Sequence, residues 1–377
     1  MNTPGSSKSD PNRSLSRTPN ISERYNVSEP PLSTRLEWQQ STPRAKLKPA
    51  PKVGRYIMEK TTAQLVSSVE SSAHLSPLYD KTLETLYVNQ VFENAEQIGQ
   101  GSFGRVFRMT EKATNKVYAI KCATEPYRNN RSRREKLHEV RMHEKVPKHE
   151  NLVKFFCAWE ERDLLYIQTE LCEMSLESHL HKYAPLPEWR VWDVFLDLTK
   201  AVHHLDTLNI IHADIKPANV LVSFDGVCKL GDFGLMVDLD LDDMDEERWE
   251  GDSKYLAREV LNSQITKEAT IFSLGLSILQ IATDLYLPST GQRWHEIRDL
   301  NIDQRFTAHL TPDLVKTIYQ MMATDPSQRP PITDVLNLPL LRDHDTNCRQ
   351  WNRRFYCLFH NFCSSSSASY PTKIEIT

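Results

Sequence analysis

Residues 210–222 read IIHADIKPANVLV, two short apolar runs around a polar loop. Such runs read as strands, and the loop between them holds Asp214, Lys216 and Asn219 at fixed offsets. An Asp placed there can take a proton from a hydroxyl, a Lys two residues on can neutralise anionic oxygen, and an Asn can hold a metal. Downstream, CKLGDFGL puts Asp232 eighteen residues past Asp214, a second carboxylate suited to Mg²⁺.

Upstream, Gly99, Gly101 and Gly104 with Val106 form a G-x-G-x-x-G-x-V turn between two strand-like runs. Glycines there let the backbone close over phosphate and offer N–H donors where side chains would clash. A dinucleotide-binding turn would need a helix straight after it, whereas RVFRMTE continues as a strand. Lys121, fifteen residues beyond Val106 in VYAIK, lies on the next strand, where it can reach the α- and β-phosphates. Glu139, in the charged helical segment KLHEVRMHE, is either one more solvated acid or the ion-pair partner of Lys121. Positioned positive charge and one oriented base are what phosphoryl transfer requires of a protein, and their order here is that of a protein-kinase domain using ATP and Mg²⁺.

The rest of the chain is consistent with that reading. Its 377 residues are 39% hydrophobic and 25% charged, enough for a sizeable core plus unburied segments. A formal net charge of −4 gives no expectation of nucleic-acid binding. Seven cysteines without a C-x-x-C pair argue against a disulfide framework or a zinc site, and for free thiols in the cytoplasm or nucleus. The N-terminus is polar, so no signal peptide is expected, and the longest apolar run, Ile271–Thr283, suits a buried core helix rather than a membrane span. Thr18-Pro19, Thr42-Pro43 and Ser76-Pro77 are candidate proline-directed phosphorylation sites.

Residues 1–75 are rich in Ser, Thr, Pro and basic residues and lack apolar periodicity, and are expected to be a disordered tail. Residues 76–342 form the expected domain, with strands giving way to helices near residue 172. Val191, Val194, Phe195, Leu198, Val202 and Leu205 mark one helix face. The expected class is α+β, bilobal: a small β-sheet lobe with one main helix (about 92–172) and a larger, mostly helical lobe (about 173–342). Residues 343–377 form a short tail. The acidic run DLDLDDMDEERWEGD, Asp238–Asp252, reads as a solvated loop or a dock for a basic surface.

Several stretches say more than protein kinase. EVRMHEKVPKHENLVKFFCAWEE, LYIQTELCEMSLESH, HADIKPANVLV, CKLGDFGLMVDL, FSLGLSILQIATDLYLP, MMATDPSQRP and above all EGDSKYLA resemble the Wee/Myt family of kinases that restrain cyclin-dependent kinases, its membrane-associated Myt branch most closely. The resemblance implies a Tyr- or Thr-directed enzyme whose substrate is a cyclin-bound cyclin-dependent kinase. It implies ATP contacts from Ile98, Gln100, Ser102, Phe103, Arg105 and Ala119 beside the glycines, Val106 and Lys121. It also implies Thr169 as gatekeeper, with Glu170 and Cys172 offering backbone hydrogen bonds to adenine. The family carries a small hydrophobic residue between the His and the catalytic Asp, as Ala213 is here; without an Arg at that position the loop needs no phosphate to neutralise it. Three departures stand out: Arg258 where Pro is usual, Thr270 where an Asp anchors the catalytic loop, and a short C-terminal tail. In that tail only Arg349–Ser367 suggests peripheral membrane contact, through its aromatics and acylation of Cys357 or Cys363. The alternatives implied are a pseudokinase scaffold and an active Ser/Thr kinase with an unrelated substrate.

Overall fold

Alternating apolar residues between Phe92 and Glu170 build one twisted sheet, because each strand has one face to bury against a helix and one against the preceding chain. In the computed structural model the strands are Gln64–Ser68 (β1), Phe92–Gly101 (β2), Gly104–Glu111 (β3), Val117–Cys122 (β4), Phe155–Glu161 (β5) and Leu164–Glu170 (β6). They pair antiparallel in the order β1-β5-β6-β4-β3-β2. The structure describes residues 62–68, 75–101, 104–183, 186–241, 251–261, 265–283 and 285–347. Thr18-Pro19, Thr42-Pro43, most of the acidic run and the Arg349–Ser367 stretch lie outside them.

One face of the sheet is covered by the segment leading into β2. A short helix, Tyr87–Val91 (α1), and Phe92 bring Tyr87 and Phe92 onto Trp159, and Trp159 stacks on Tyr166 at 5.1 Å. The other face receives the helix Asn130–Lys145 (α2). Asn129 starts it with a reciprocal cap, its side chain accepting from Ser132 N–H at 2.9 Å while Ser132 Oγ accepts from Asn129 N–H at 3.1 Å.

β1 corrects the expectation that residues 1–75 are entirely disordered. Its five residues carry too short a pattern to be read as a strand; what fixes it is backbone pairing with the open edge of β5, a tertiary cause.

The larger lobe follows. The helices are Leu176–Tyr183 (α3), Glu188–Thr207 (α4) and Lys267–Thr283 (α5), followed by Gln292–Arg298 (α6), Pro312–Met321 (α7), Ile332–Leu336 (α8) and Pro339–Asn347 (α9). The apolar face expected on α4 is buried, and α5, which contains Ile271–Thr283, is sheathed on nearly every side. Two small antiparallel sheets, one of β7 (Met174–Ser175), β9 (Val220–Val222) and β10 (Cys228–Leu230) and one of β8 (Ile210–His212) and β11 (Met236–Asp238), flank the loop that contains Asp214. Among the described residues no helix is long and apolar enough to cross a membrane.

Candidate active site

The glycine turn closes as the sequence requires: Gly99 pairs with Val106, Gln100 with Arg105 and Gly101 with Gly104. A Cβ at Gly104 would collide with the Cys122 carbonyl oxygen, so only glycine lets β3 begin against the end of β4. Ser102 and Phe103, at the tip, lie outside the described residues. Register then places Lys121 opposite Val106, and Ala119 opposite Thr169 on the far side.

Lys121 Nζ lies 2.8 Å from both Glu139 carboxylate oxygens and 3.1 Å from Asp232 Oδ1. Of the two readings open for Glu139, the ion pair is the one the structure adopts. Burial alone would push the Lys121 ammonium down; the two carboxylates outweigh it and hold it above the ordinary lysine value. Burial likewise pushes the Asp232 carboxyl up, and Lys121 more than offsets this, leaving it below the usual range. Asp232 sits in the left-handed region at φ 58°, which turns the chain so that Phe233 goes inward. The Phe233 ring stacks on His143 of α2 at 4.1 Å, His143 stacks on Phe155 of β5 at 4.9 Å, and His212 meets Phe233 edge-on at 6.3 Å. This column of rings joins the small lobe to the catalytic loop. Burial holds both imidazoles below their ordinary value, His143 down to about 3, so both are neutral near pH 7.

Asp214 is buried at the end of β8. Its Oδ2 accepts from Asn219 Nδ2 at 2.7 Å and lies 2.8 Å from Lys216 Nζ, while its Oδ1 accepts the Asp252 backbone N–H at 3.2 Å. His212 Nδ1 accepts the Asp214 N–H at 3.3 Å, and its Nε2 bonds the Gly231 carbonyl oxygen at 3.0 Å, next to Asp232. Gly231 N–H in turn donates to Asn219 O at 2.9 Å. The Asp214 and Asp232 groups are thus one connected unit.

Asn219 aims its amide nitrogen at Asp214, which makes its oxygen the end suited to a cation. With the Asp232 carboxylate this gives hard oxygen donors, too few to cage an ion but matched to Mg²⁺, which keeps waters and phosphate oxygens as its other ligands. Among the described residues no cluster of three or more His, Cys, Asp or Glu could hold a metal alone. At the end of β6, the Glu170 carboxylate accepts from Lys154 N–H at 2.7 Å and pairs with Lys229 at 3.0 Å, and just beyond it burial pushes the Cys172 thiol up to about 12.

The sequence departures have local partners. Thr270 does not reach the catalytic loop; its hydroxyl donates to Thr266 O at 3.3 Å, inside its own helix. The tie from α5 to the Asp214 loop is made instead by Ser277, donating to Ile215 O at 3.1 Å, while Ser273 donates to Tyr255 O at 2.9 Å in the segment after Asp252. Arg258 pairs with Asp299 at 2.9 Å and donates to His295 O at 3.1 Å. Ala213 packs against the apolar cluster of Ile211, Val237 and Ile265. Gly251 lies so close that a Cβ there would sit 2.9 Å from the Ala213 carbonyl oxygen. Gly251 and Asp252 were legible only as part of the EGDSKYLA marker; the role of His143 had no local signal at all.

The protein kinase domain family matches residues 92–341. The chain is 43% identical over 323 residues to the membrane-associated tyrosine- and threonine-specific cdc2-inhibitory kinase wee-1.3 of Caenorhabditis elegans, covering 83% of this chain and 47% of that protein. It is 40% identical over 262 residues to the membrane-associated tyrosine- and threonine-specific cdc2-inhibitory kinase of Drosophila melanogaster (69% of this chain, 49% of that protein). Against the mitosis inhibitor protein kinase SWE1 of Saccharomyces cerevisiae the identity is 35% over 268 residues, 64% of this chain and 32% of that protein. The chain spans about half the length of the worm and fly relatives. It belongs to the protein kinase domain family, with cdc2-inhibitory and mitosis-inhibitory kinases among its relatives.

Proposed function

We propose that this chain transfers the γ-phosphoryl group of ATP to a Tyr or Thr hydroxyl in the glycine-rich loop of a cyclin-bound, cdc2-type kinase, restraining that kinase. The observation that carries the proposal is the convergence of Lys121, Glu139 and Asp232 beside the Asp214–Lys216–Asn219 group.

In this reading Asp214 accepts the proton as the substrate oxygen bonds to phosphorus, and ADP leaves. Lys216, 2.8 Å from Asp214, neutralises the γ-phosphate during transfer, and Lys121 holds the α- and β-phosphates with Glu139 fixing its position. Asn219 and Asp232 would hold Mg²⁺, which supplies charge neutralisation to the phosphates. Thr169, Glu170 and Cys172 would line the adenine site, with the last two offering backbone groups. The target comes from the names of the relatives, which carry cdc2 inhibition and tyrosine and threonine specificity. Those relatives are also named membrane-associated, and a peripheral contact of this chain is proposed through Arg349–Ser367. The pseudokinase alternative drew on Arg258 and Thr270, and both have partners away from the charge cluster.

Tyr and Thr hydroxyls differ in reach by the length of a ring. A site that serves both must set the distance from Asp214 through substrate backbone, so the folded target should far outperform a short peptide. The test compares labelled phosphate transfer to an intact cyclin-bound kinase and to a peptide carrying the same Thr-Tyr pair, followed by phosphoamino-acid analysis. Equal efficiency on both, or phosphate only on unrelated Ser, removes the cdc2-type target.

A further inference from the structure

β1 lies outside the residues matched to the kinase domain, yet its contacts lead to Glu139. We infer that β1 is a positioning element of the active site: Val66 seats α2, and α2 so seated holds Glu139 on Lys121. The inference rests on the phosphotransfer reading above for its effect on activity, but not for its effect on α2.

β1 runs along the outer edge of β5, from Gln64 opposite Glu160 to Ser68 opposite Cys157. Val66 packs on the cluster formed by Val140 of α2 with Tyr127, Phe155, Ala158, Leu165 and Ile167, which Leu137 of α2 also joins. Leu137 and Val140 bracket Glu139 in the helix. Only Val140, Met142 and His143 of α2 are buried, so each apolar contact on that helix counts heavily in its placement. The same strand pair supports α2 a second time: Glu160, opposite Gln64, takes both ends of the Arg133 guanidinium at 2.7 Å. Just before β1, Ala63 is buried with the aromatic cluster and donates its N–H to the Tyr79 hydroxyl at 2.9 Å. β1 and the residue before it therefore touch both faces of the sheet, while among the described strands β1 pairs with β5 at the sheet edge. An edge strand of five residues can detach without unpicking the strands that carry Lys121.

The experiment uses the full chain with Val66→Asp, Val66→Ala and Val66→Ile. Hydrogen exchange is followed in residues 130–145, with residues 267–283 of α5 as the internal reference, beside the ATP dependence of transfer. Val66→Asp is expected to speed exchange in α2 about tenfold and to raise the KM for ATP several-fold, with α5 unchanged. Val66→Ala should do the same to a smaller degree, and Val66→Ile should match the parent. Parent-like α2 exchange in both the Asp and Ala variants overturns the inference. So does exchange that rises equally in α2 and α5 in the Ala variant, since Val66 would then be a general core residue. An inactive parent chain would sink the phosphotransfer reading and leave the exchange comparison intact.

Discussion

On the small-lobe side of the cleft, Lys121 is held by charge, 2.8 Å from Glu139 and 3.1 Å from Asp232. On the large-lobe side, Asp214 is held by Asn219, Lys216 and a backbone N–H, over a floor of apolar and close-packed contacts around Ala213 and Gly251. In the proposed reading these charges face ATP, whose phosphates leave little freedom of residue type. A support need only supply a donor or a close contact, so it can be rebuilt. That is why Ala213, Thr270 and Arg258 all depart from common kinase residues on the large-lobe side, whereas the triangle keeps Lys, Glu and Asp.

Breaking either half at its centre should have the largest effect. Lys121→Ala leaves Glu139 and Asp232 facing each other without a cation, and Asp214→Asn removes the proposed proton acceptor. Each should lower the rate of transfer by about a thousandfold or more, measured by labelled-phosphate incorporation with nucleotide binding checked separately. Comparable rates in Asp214→Asn and parent would remove the enzyme reading.

Gly251→Ala probes the packed floor alone. The added methyl must displace the Ala213 carbonyl, one residue from Asp214, and a shift of a fraction of an ångström there should cost roughly 10- to 100-fold in kcat. Unchanged kcat would mean the floor does not set the position of Asp214.

The ring column between the halves should report through pH. Burial holds His143 at about 3 against an ordinary value near 6.5, so the unfolded chain binds the extra proton between those values. The His143 contribution is complete above pH 6.5 and is lost as pH falls below it, by about 2 kcal/mol at pH 5. His143→Phe should flatten that part of the stability profile, read by denaturant titration at pH 7 and pH 5. An equal fall with pH in parent and variant would assign the slope to other groups. Smaller still, Arg258→Ala breaks a half-exposed pair with Asp299 and should leave the midpoint of thermal melts within about 2 °C of the parent.

The sequence showed the two halves unequally as well. Lys121, Asp214, Asn219 and Asp232 were legible because each stands in a short motif at a set distance from the next, and the two-lobed order followed from strands giving way to helices. Glu139 was open between two roles, since a charged helix offers several acids and only packing selects one. β1 was illegible for a related reason: five residues become a strand because β5 has an open edge. Ser277 and His143 were hidden too, one a polar residue inside an apolar helix, the other one basic residue among many in α2. Their roles exist only once helices are packed.

The most direct test of packing as the support for Asp214 is the initial rate of the full chain before and after complete dephosphorylation, with the phosphatase removed. Because Ala213 sits in an apolar cluster and brings no cation to the loop, the rate should stay within about twofold, with Asp214→Asn silent in both states. A large loss on dephosphorylation, restored by a purified upstream kinase, would contradict the account and show that a phosphate, not the Gly251–Ala213 contact, orders the loop.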